Sequence, residues 1–329
     1  MLKNNIWQQL KRPIMVQAPM ADVTDAAFRQ IIAGCGQPDL LMTEFVSADG
    51  LMHPEGQQKL MRELYFTPSE KPIIAQLFTS RPEVMKEAAA FVETLGFAGI
   101  DINMGCPDRG IEKQGCGSDL IKHPKLAQKL VLAAKEGTSL PVSVKTRIGY
   151  NQIDIESWAK HLLETEPAAI TFHLRTRKEM SKVEAHWEEV KIPVELARGS
   201  KTLILGNGDV KNLTEAKSKV DMYGVDGVMI GRGIYGNPWL YSEYEPSVRE
   251  KLEVLIEHAN LFWDLFGPTQ TNKKLFGGHT KSFAVMKKHF KAYVEGFAGA
   301  SELRIELMTA ENAFEVEQKV CHFLATLKI

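Results

Sequence analysis

Reactive and polar side chains recur in this sequence just after short apolar, β-branched runs. Ala18-Pro19-Met20-Ala21 follows the first run, Gln76 lies near the end of the third, Asn103-Met104-Gly105-Cys106-Pro107 closes the fourth and Lys145-Thr146-Arg147 the fifth. His173-Leu174-Arg175-Thr176, Asn207-Gly208-Asp209 and Gly231-Arg232-Gly233 close the sixth, seventh and eighth. A single lysine or histidine at a strand end is commonly a satisfied hydrogen-bonding group, but seven such endings imply convergence on one large polar ligand. Glycine-rich loops offer backbone N–H groups to phosphate, which suits Asn207-Gly208-Asp209 and Gly231-Arg232-Gly233. Lys145 and His173 would then face the ring system of that ligand, where a cation stabilises developing negative charge, with salt bridging as the alternative for each. Cys106 lies in a Gly-Cys-Pro turn, where Gly105 and Pro107 fix the backbone and can present the thiol at the rim. Cys35, Cys116 and Cys321 read as packing residues, although Cys116 lies in the Gly-rich loop Gly115-Cys116-Gly117.

The runs that carry these endings are Ile14–Met20, Leu40–Phe45, Ile73–Phe78, Gly99–Asn103, Val142–Arg147, Ala169–His173, Thr202–Asn207 and Asp226–Gly231. Between them Pro82–Leu95, Pro124–Lys135, Ile155–Leu163 and Asn212–Val220 place apolar residues at helical spacing, often starting beside Pro, Asp or Ser. Eight buried strands joined by helical crossovers predict a (β/α)8 TIM barrel, an α/β fold, with a doubly wound open sheet as the alternative. Gly231 to Gly236 spells GxGxxG, but it follows the last strand instead of opening a first βαβ unit, which argues against a Rossmann reading. After about Glu245 the strand signals stop, and Lys251–Phe266, Lys281–Gly296, Ser301–Met308 and Ala310–Leu327 read as helices. The expected division is a barrel over 1–245 and a smaller all-helical domain over 246–329, packed closely because no long Gly/Ser linker separates them.

Of 329 residues, 44% are hydrophobic and 25% charged, which is the composition of a folded chain. No apolar stretch suits a signal peptide or a membrane span, so a cytoplasmic protein is expected. Its four cysteines form no CxxC pair and no zinc spacing, and neither a disulfide framework nor a metal site is expected. A net charge of −1 gives no global reason to bind nucleic acid, so an RNA partner would need a local patch. One exists: Lys273, Lys274, Lys281, Lys287, Lys288 and Lys291, with His279 and His289, fall in a stretch without an acidic residue. Lys281, Lys288 and Lys291 recur at helical spacing beside Lys287 and can share a face that meets phosphates; a solvated helix face is the alternative.

Taken together, the fragments resemble the tRNA-dihydrouridine synthases over nearly the whole chain. The resemblance rests on Ala18-Pro19-Met20-Ala21-Asp22-Val23-Thr24-Asp25 with Phe28-Arg29, on Asp101-Ile102-Asn103-Met104-Gly105-Cys106-Pro107, and on Val144-Lys145-Thr146-Arg147. It continues through His173-Leu174-Arg175-Thr176-Arg177, Asn207-Gly208-Asp209-Val210 and Met229-Ile230-Gly231-Arg232-Gly233, in the family's order. It implies tightly bound FMN at Pro19, Met20, Ala21, Gln76, Lys145, His173, Asn207, Gly208, Asp209, Gly231 and Arg232. It also implies Cys106 as proton donor, Asn103 and Arg175 beside the target base, and a tRNA partner held by Lys281, Lys287, Lys288 and Lys291. Tyr293, Phe297 and Arg304 continue a segment similar to the family's helical RNA-binding domain, with Phe290 and Phe297 expected in its core. The implied reaction reduces the uracil C5=C6 bond, with hydride passing from FMN N5 to C6, Cys106 protonating C5 from the other face, and NADPH as reductant. A thiol of pKa about 8.5 holds its proton near neutral pH, as a general acid must. A base enclosed in helical RNA must be flipped out to reach a barrel mouth. The sequence departs from the family pattern at Leu174, where a glycine is common, and at Gly115-Cys116-Gly117-Ser118-Asp119, both of which bear on the uridine pocket. Two other readings stand beside this one: an FMN barrel oxidoreductase of small molecules, and an RNA-binding protein on an inactive barrel.

Overall fold

Each of the eight apolar runs forms a strand in the computed structural model of the chain, which describes residues 5–242 and 244–326. They are β1 (Ile14–Gln17), β2 (Leu41–Ser47), β3 (Ile73–Phe78), β4 (Gly99–Met104), β5 (Val142–Arg147), β6 (Ala169–His173), β7 (Leu203–Asn207) and β8 (Gly227–Ile230). All neighbours pair in parallel, in the order β1-β8-β7-β6-β5-β4-β3-β2. The two outer members meet where Val16 bridges Leu40 and the Gln17 N–H donates to the Leu40 carbonyl at 3.0 Å, which closes the barrel and rules out an open sheet. β1 stops three residues short of Met20 because Pro19 has no N–H to donate and the Met20 carbonyl turns to accept from Val23 and Thr24.

The crossovers follow their sequence signals. Proline at the first turn opens Pro82–Thr94 and Pro124–Gly137, where its missing N–H leaves no intrahelical bond unmade. Asn212 caps Leu213–Tyr223 by accepting from Glu215, and Gly224, in the left-handed region, ends it. The helix Ala26–Gly36 is capped by Asp25, and its Arg29 is fully buried, paired with Glu70 at 2.8 Å and donating to the Thr24 and Tyr65 carbonyls. That arginine ties the loop after β1 to the segment before β3.

The C-terminal segment is helical at Val248–Phe266, Gln270–Phe276, Met286–Tyr293, Ala300–Leu307 and Ala313–Thr326. Sequence periodicity predicts one helix over Lys281–Gly296, but the chain is not helical at Lys281, passes through a 3-10 turn at Phe283–Val285 and becomes helical only from Met286. The four lysines therefore do not share a single helix face. Leu327, the predicted end of the last helix, lies outside the described residues. Leu252, Phe262, Phe266, Phe290 and Leu303 belong to the same buried apolar cluster as Phe28, Ile31 and Ile32 of the barrel, so the helices and the barrel share one continuous core. Within it Phe28 stacks on His258 with ring centroids 5.0 Å apart and lies 4.6 Å from His289. Burial holds both imidazoles below their ordinary value, His289 at about 3, so they pack as neutral rings.

Ser247 starts the longest of these helices with a reciprocal capping box: its hydroxyl accepts from the Glu250 N–H and the Glu250 carboxylate accepts from the Ser247 N–H. Ser247→Ala is expected to lower the unfolding free energy by about 1 kcal/mol, read as a lower urea midpoint at unchanged slope. An unchanged midpoint would show that the box contributes nothing.

Candidate active site at the barrel mouth

The C-terminal ends of β1 and β5 to β8 enclose a cavity of about 280 Å³. Pro19, Met20, Lys145, His173 and Arg175 line one part of it, and Asn207, Gly208, Asp209, Gly231 and Arg232 the other. Ala21 is exposed outside that lining, and Gln76 is fully buried beneath it. Ser181 and Met229 also line the cavity. Ser181 lies in the long excursion after β6, where no strand ending announces it.

The glycines make room. A Cβ on Gly231 would project to 3.5 Å from the Met20 sulfur and 3.6 Å from the Ala18 Cβ, into the cavity lining. Gly208 has φ of +137°, and a Cβ there would stand 2.8 Å from that of Ala185. Three cations line this space, Lys145, Arg175 and Arg232. Arg175 pairs with Asp209 and donates to the Val183 carbonyl at 2.7 Å, while Arg232 reaches the other Asp209 oxygen at 2.9 Å. Burial pushes the Asp209 carboxyl up, but the hydrogen bonds from Arg175 and the Ala185 N–H overcome this and hold it below its ordinary value. Burial, and then repulsion from Arg147, bring Lys145 down to about 8; its ammonium contacts Asn207 Oδ1 at 3.3 Å.

His173 lies well below its ordinary value, through burial first and then through Lys145, Arg147, Arg175 and Arg232. It is neutral, which corrects the expectation that it carries a cation's charge; of the two, only Lys145 is charged. Arg175 Nη1 stands 3.2 Å from His173 Nε2, and since a guanidinium only donates, Nε2 accepts and the ring proton is on Nδ1. Cations that depress one another around glycine loops call for an anion, so the lining fits a ligand with a phosphate at the β7–β8 end and a ring near Lys145.

The Cys106 turn is latched from three sides. Asn103 Oδ1 accepts from the N–H groups of Gly105 and Cys106 at 3.1 and 3.0 Å. The Cys106 carbonyl accepts from the Ser118 N–H and hydroxyl, both at 2.9 Å. Arg147 Nε donates to the Gly105 carbonyl at 2.8 Å. Gly105 is needed for closeness and not for a left-handed backbone: a Cβ there would stand 3.1 Å from the Thr146 backbone. Gly117, at φ of +60°, has no room for a side chain because a Cβ would fall 2.6 Å from the Cys106 carbonyl. The departure at Gly115-Cys116-Gly117-Ser118 thus supports the turn, while Leu174, the other departure, is buried in the core. Arg147 and Ser118 were not singled out by sequence, although Arg147 closes a strand with the same polar signature as Lys145.

Cys106 is half-buried against Phe45, Phe78, Ile111 and Cys116. Burial pushes its thiol above the ordinary value and the Asp108 carboxylate adds to this, against an Asp108 backbone contact and the Arg147 and Lys145 charges. It is a protonated thiol at neutral pH. Burial brings Cys35 and Cys116 to about 11, so they too are protonated packing groups.

The basic segment divides. Lys281 has a side chain only 6% exposed, with its ammonium on Glu44 at 2.8 Å and on Glu63, over the Phe266 ring at 5.0 Å. Two carboxylates occupy its donors, which corrects its assignment as a phosphate ligand. His289, buried and neutral, also leaves the basic set. Lys288 and Lys291 are exposed and Lys287 is half-exposed. Lys288 stands 3.8 Å from the Asp22 carboxylate, at the loop after β1, which brings the basic face to the barrel rim. Phe290 is buried and Phe297 packs on Phe323. Arg304 donates to the Val294 carbonyl at 2.9 Å. Among the described residues no helix is long and apolar enough to cross a membrane.

Comparison with known proteins agrees with this geometry. The family described as Dihydrouridine synthase (Dus) matches residues 16–328. A "Probable tRNA-dihydrouridine synthase" of Staphylococcus aureus (strain MRSA252) is 40% identical over 332 aligned positions, covering 99% of this chain and 98% of the relative. "Probable tRNA-dihydrouridine synthase 2" of Bacillus subtilis (strain 168) is 40% identical over 323 positions, covering 96% and 95%. Among solved structures, 2-naphthoyl-CoA reductase superposes with a TM-score of 0.55 at 11% identity, over 74% of this chain and 52% of that one. Histamine dehydrogenase from Rhizobium sp. 4-9 gives 0.51 at 12%, over 78% and 51%. At such identity the structures share the fold.

Proposed function

Because this chain belongs to the dihydrouridine synthase family, we propose that it reduces the C5=C6 bond of particular uridines in tRNA to 5,6-dihydrouridine, with tightly bound FMN, NADPH as reductant and Cys106 as general acid. The observation that carries this reading is the juxtaposition of a cationic, glycine-walled cavity with a latched, protonated thiol at one barrel mouth. FMN, when bound, supplies the hydride that adds to C6. The N–H groups of Gly208, Asp209, Gly231 and Arg232 suit its phosphate, with Asn207, Pro19 and Met20 around it, and Lys145 and neutral His173 suit its ring; Ala21 and Gln76 would act only from outside the lining.

Cys106 Sγ holds the proton delivered to C5, and the positive field of Lys145 and Arg147 stabilises the thiolate left behind. Arg175, locked by Asp209 and Val183, presents a fixed donor edge in the cavity where the flipped base would sit beside Asn103. The barrel, over 1–245, is the catalytic part, and 246–329 the tRNA-binding part, in a protein of the cytoplasm. Lys287, Lys288 and Lys291 face RNA phosphates from beside the mouth.

Removing Lys288 and Lys291 together (Lys288→Ala with Lys291→Ala) is expected to reduce the slope of log Kd for tRNA against log salt by about 1 for each lysine. Titrations between low and moderate salt read this, and an unchanged slope would show that these lysines do not meet phosphates. The function itself is tested by NADPH consumption with tRNA lacking the modification. Consumption coupled to dihydrouridine supports the reading; turnover of a free pyrimidine or enone indifferent to tRNA would favour a small-molecule reductase, and a colourless protein unable to take up FMN an RNA-binding one.

A further inference from the structure

We propose that Asp101 is a positioning residue for the Cys106 turn, acting through Gln76 and Asn103. Three side chains from β3 and β4 form a buried chain beneath the cavity. Asp101 Oδ2 accepts from Gln76 Nε2 at 2.6 Å, and Gln76 Oε1 accepts from Asn103 Nδ2 at 3.1 Å. Asn103 Oδ1 in turn holds the N–H groups of Gly105 and Cys106. The other Asp101 oxygen accepts from the Ser143 hydroxyl at 2.6 Å.

The polarity of this chain is set at both ends. Peptide N–H groups only donate, so Asn103 must turn its oxygen to the turn and its NH2 to Gln76. An ionised carboxylate only accepts, so Gln76 must turn its NH2 to Asp101 and its oxygen to Asn103. The two requirements agree, and neither amide can flip without leaving buried groups mismatched, each costing about 1–3 kcal/mol. Asp101 touches neither the thiol nor the cavity. It selects the one amide orientation in which Asn103 can latch the turn, and so holds Sγ where a proton is to be delivered.

The state of Asp101 adds a pH signature. Burial raises its carboxyl to about 6, against the Ser143 and Gln76 hydrogen bonds and the charge of Lys145. Ser143 and Lys145 face it from β5 and Gln76 from β3; of these only Lys145 titrates, at about 8. Above pH 6 the carboxylate accepts from both partners. As pH falls through 6 it gains a proton, one oxygen becomes a donor, and the carboxyl no longer excludes the flipped amide, so the latch is weakened.

The inference rests on the reading of Cys106 as the acid for its catalytic consequence, but not for the latch. The test uses the FMN-loaded enzyme and two variants. In Asp101→Ala, hydrogen exchange by mass spectrometry is expected to show the amides of the Gly105-Cys106 turn exchanging roughly tenfold faster or more, the equivalent of about 1.4 kcal/mol. Dihydrouridine formation should lose at least about tenfold in kcat, with KM for tRNA within about twofold. Asp101→Asn has the hydrogen-bonding pattern of the protonated acid, one accepting and one donating edge, and is expected to reproduce the low-pH state of the native enzyme at every pH. Its turn exchange and kcat should lie between those of Asp101→Ala and of the native enzyme at pH 7, and the acid limb near pH 6 should vanish because nothing there titrates. Native exchange at the turn in Asp101→Ala, faster exchange spread evenly over the barrel, or an acid limb surviving in Asp101→Asn would overturn the proposal. If Asp101→Ala does not fold, the acid limb of Asp101→Asn decides alone. Fast turn exchange in Asp101→Ala, together with full activity in Cys106→Ala, would uphold the latch and reject the thiol as acid.

Discussion

Cys106→Ala is expected to keep FMN bound and reducible by NADPH while dihydrouridine formation falls by about 10²-fold or more, the usual contribution of a general acid. The separation of these two properties is the point. Neither the glycine loops after β7 and β8 nor Lys145 makes a hydrogen bond with the Cys106 side chain, and the turn is latched through backbone groups that alanine keeps. Alanine therefore removes a proton and little else. The pH dependence has a definite sign: burial raises the thiol above its ordinary value, so the proton is present through neutral pH and is lost as pH rises through that raised value. The upper alkaline limb of kcat should vanish with the thiol, leaving the change near pH 8 that belongs to Lys145. Absorbance of the bound cofactor, anaerobic reduction by NADPH and nucleoside mass spectrometry of the tRNA read the three quantities separately.

Lys281→Met should be the most damaging single change to stability, lowering the unfolding free energy by about 3–5 kcal/mol, because it strips the counter-ion from a buried cluster. Its ammonium joins the C-terminal segment to Glu44 in the middle of β2 and to Glu63 of the helix Pro54–Leu64. Burial raises Glu44 to about 8 in spite of Lys281. Burial also acts upward on Glu63, but Lys281 and a hydrogen bond with Glu44 hold that carboxyl below its ordinary value. Without the lysine both carboxyls favour their neutral form. A raised carboxyl in the folded state stabilises below the unfolded value and loses that contribution as pH rises, so the deficit should be larger at pH 8 than at pH 5. Urea melts at the two pH values check this; an equal, small deficit at both would show the cluster to be indifferent to its cation.

Lys281 also marks a limit of reading function from sequence. Its helical spacing with Lys288 and Lys291 suggested one phosphate-facing surface, but spacing carries that meaning only inside a helix, and the chain is not helical at Lys281. The acidic partners that bury it lie more than two hundred positions away, in β2 and the helix after it. His289 misled for the same reason, since its partners Phe28 and His258 come from the barrel and from another helix. The barrel was legible because each strand is a short β-branched run and its closure follows from strand number and crossover. The rim was legible because polar residues at strand ends share one location in such a fold. The charge of His173 was not, since its neutrality comes from burial among four cations gathered from two other strand ends and its own. The Asp101-Gln76-Asn103 chain was likewise invisible, as it depends on which strands are neighbours and on which atoms face each other across them.

The most direct test of the central claim is a single-turnover comparison. Native protein and Cys106→Ala, each carrying FMN reduced in advance, are mixed with tRNA lacking dihydrouridine, and the nucleosides are followed by mass spectrometry. The native protein is expected to add two hydrogens to particular uridines while Cys106→Ala does so at least about 10²-fold more slowly. Equal rates in the two proteins, or no dihydrouridine from the FMN-loaded native protein, would contradict it.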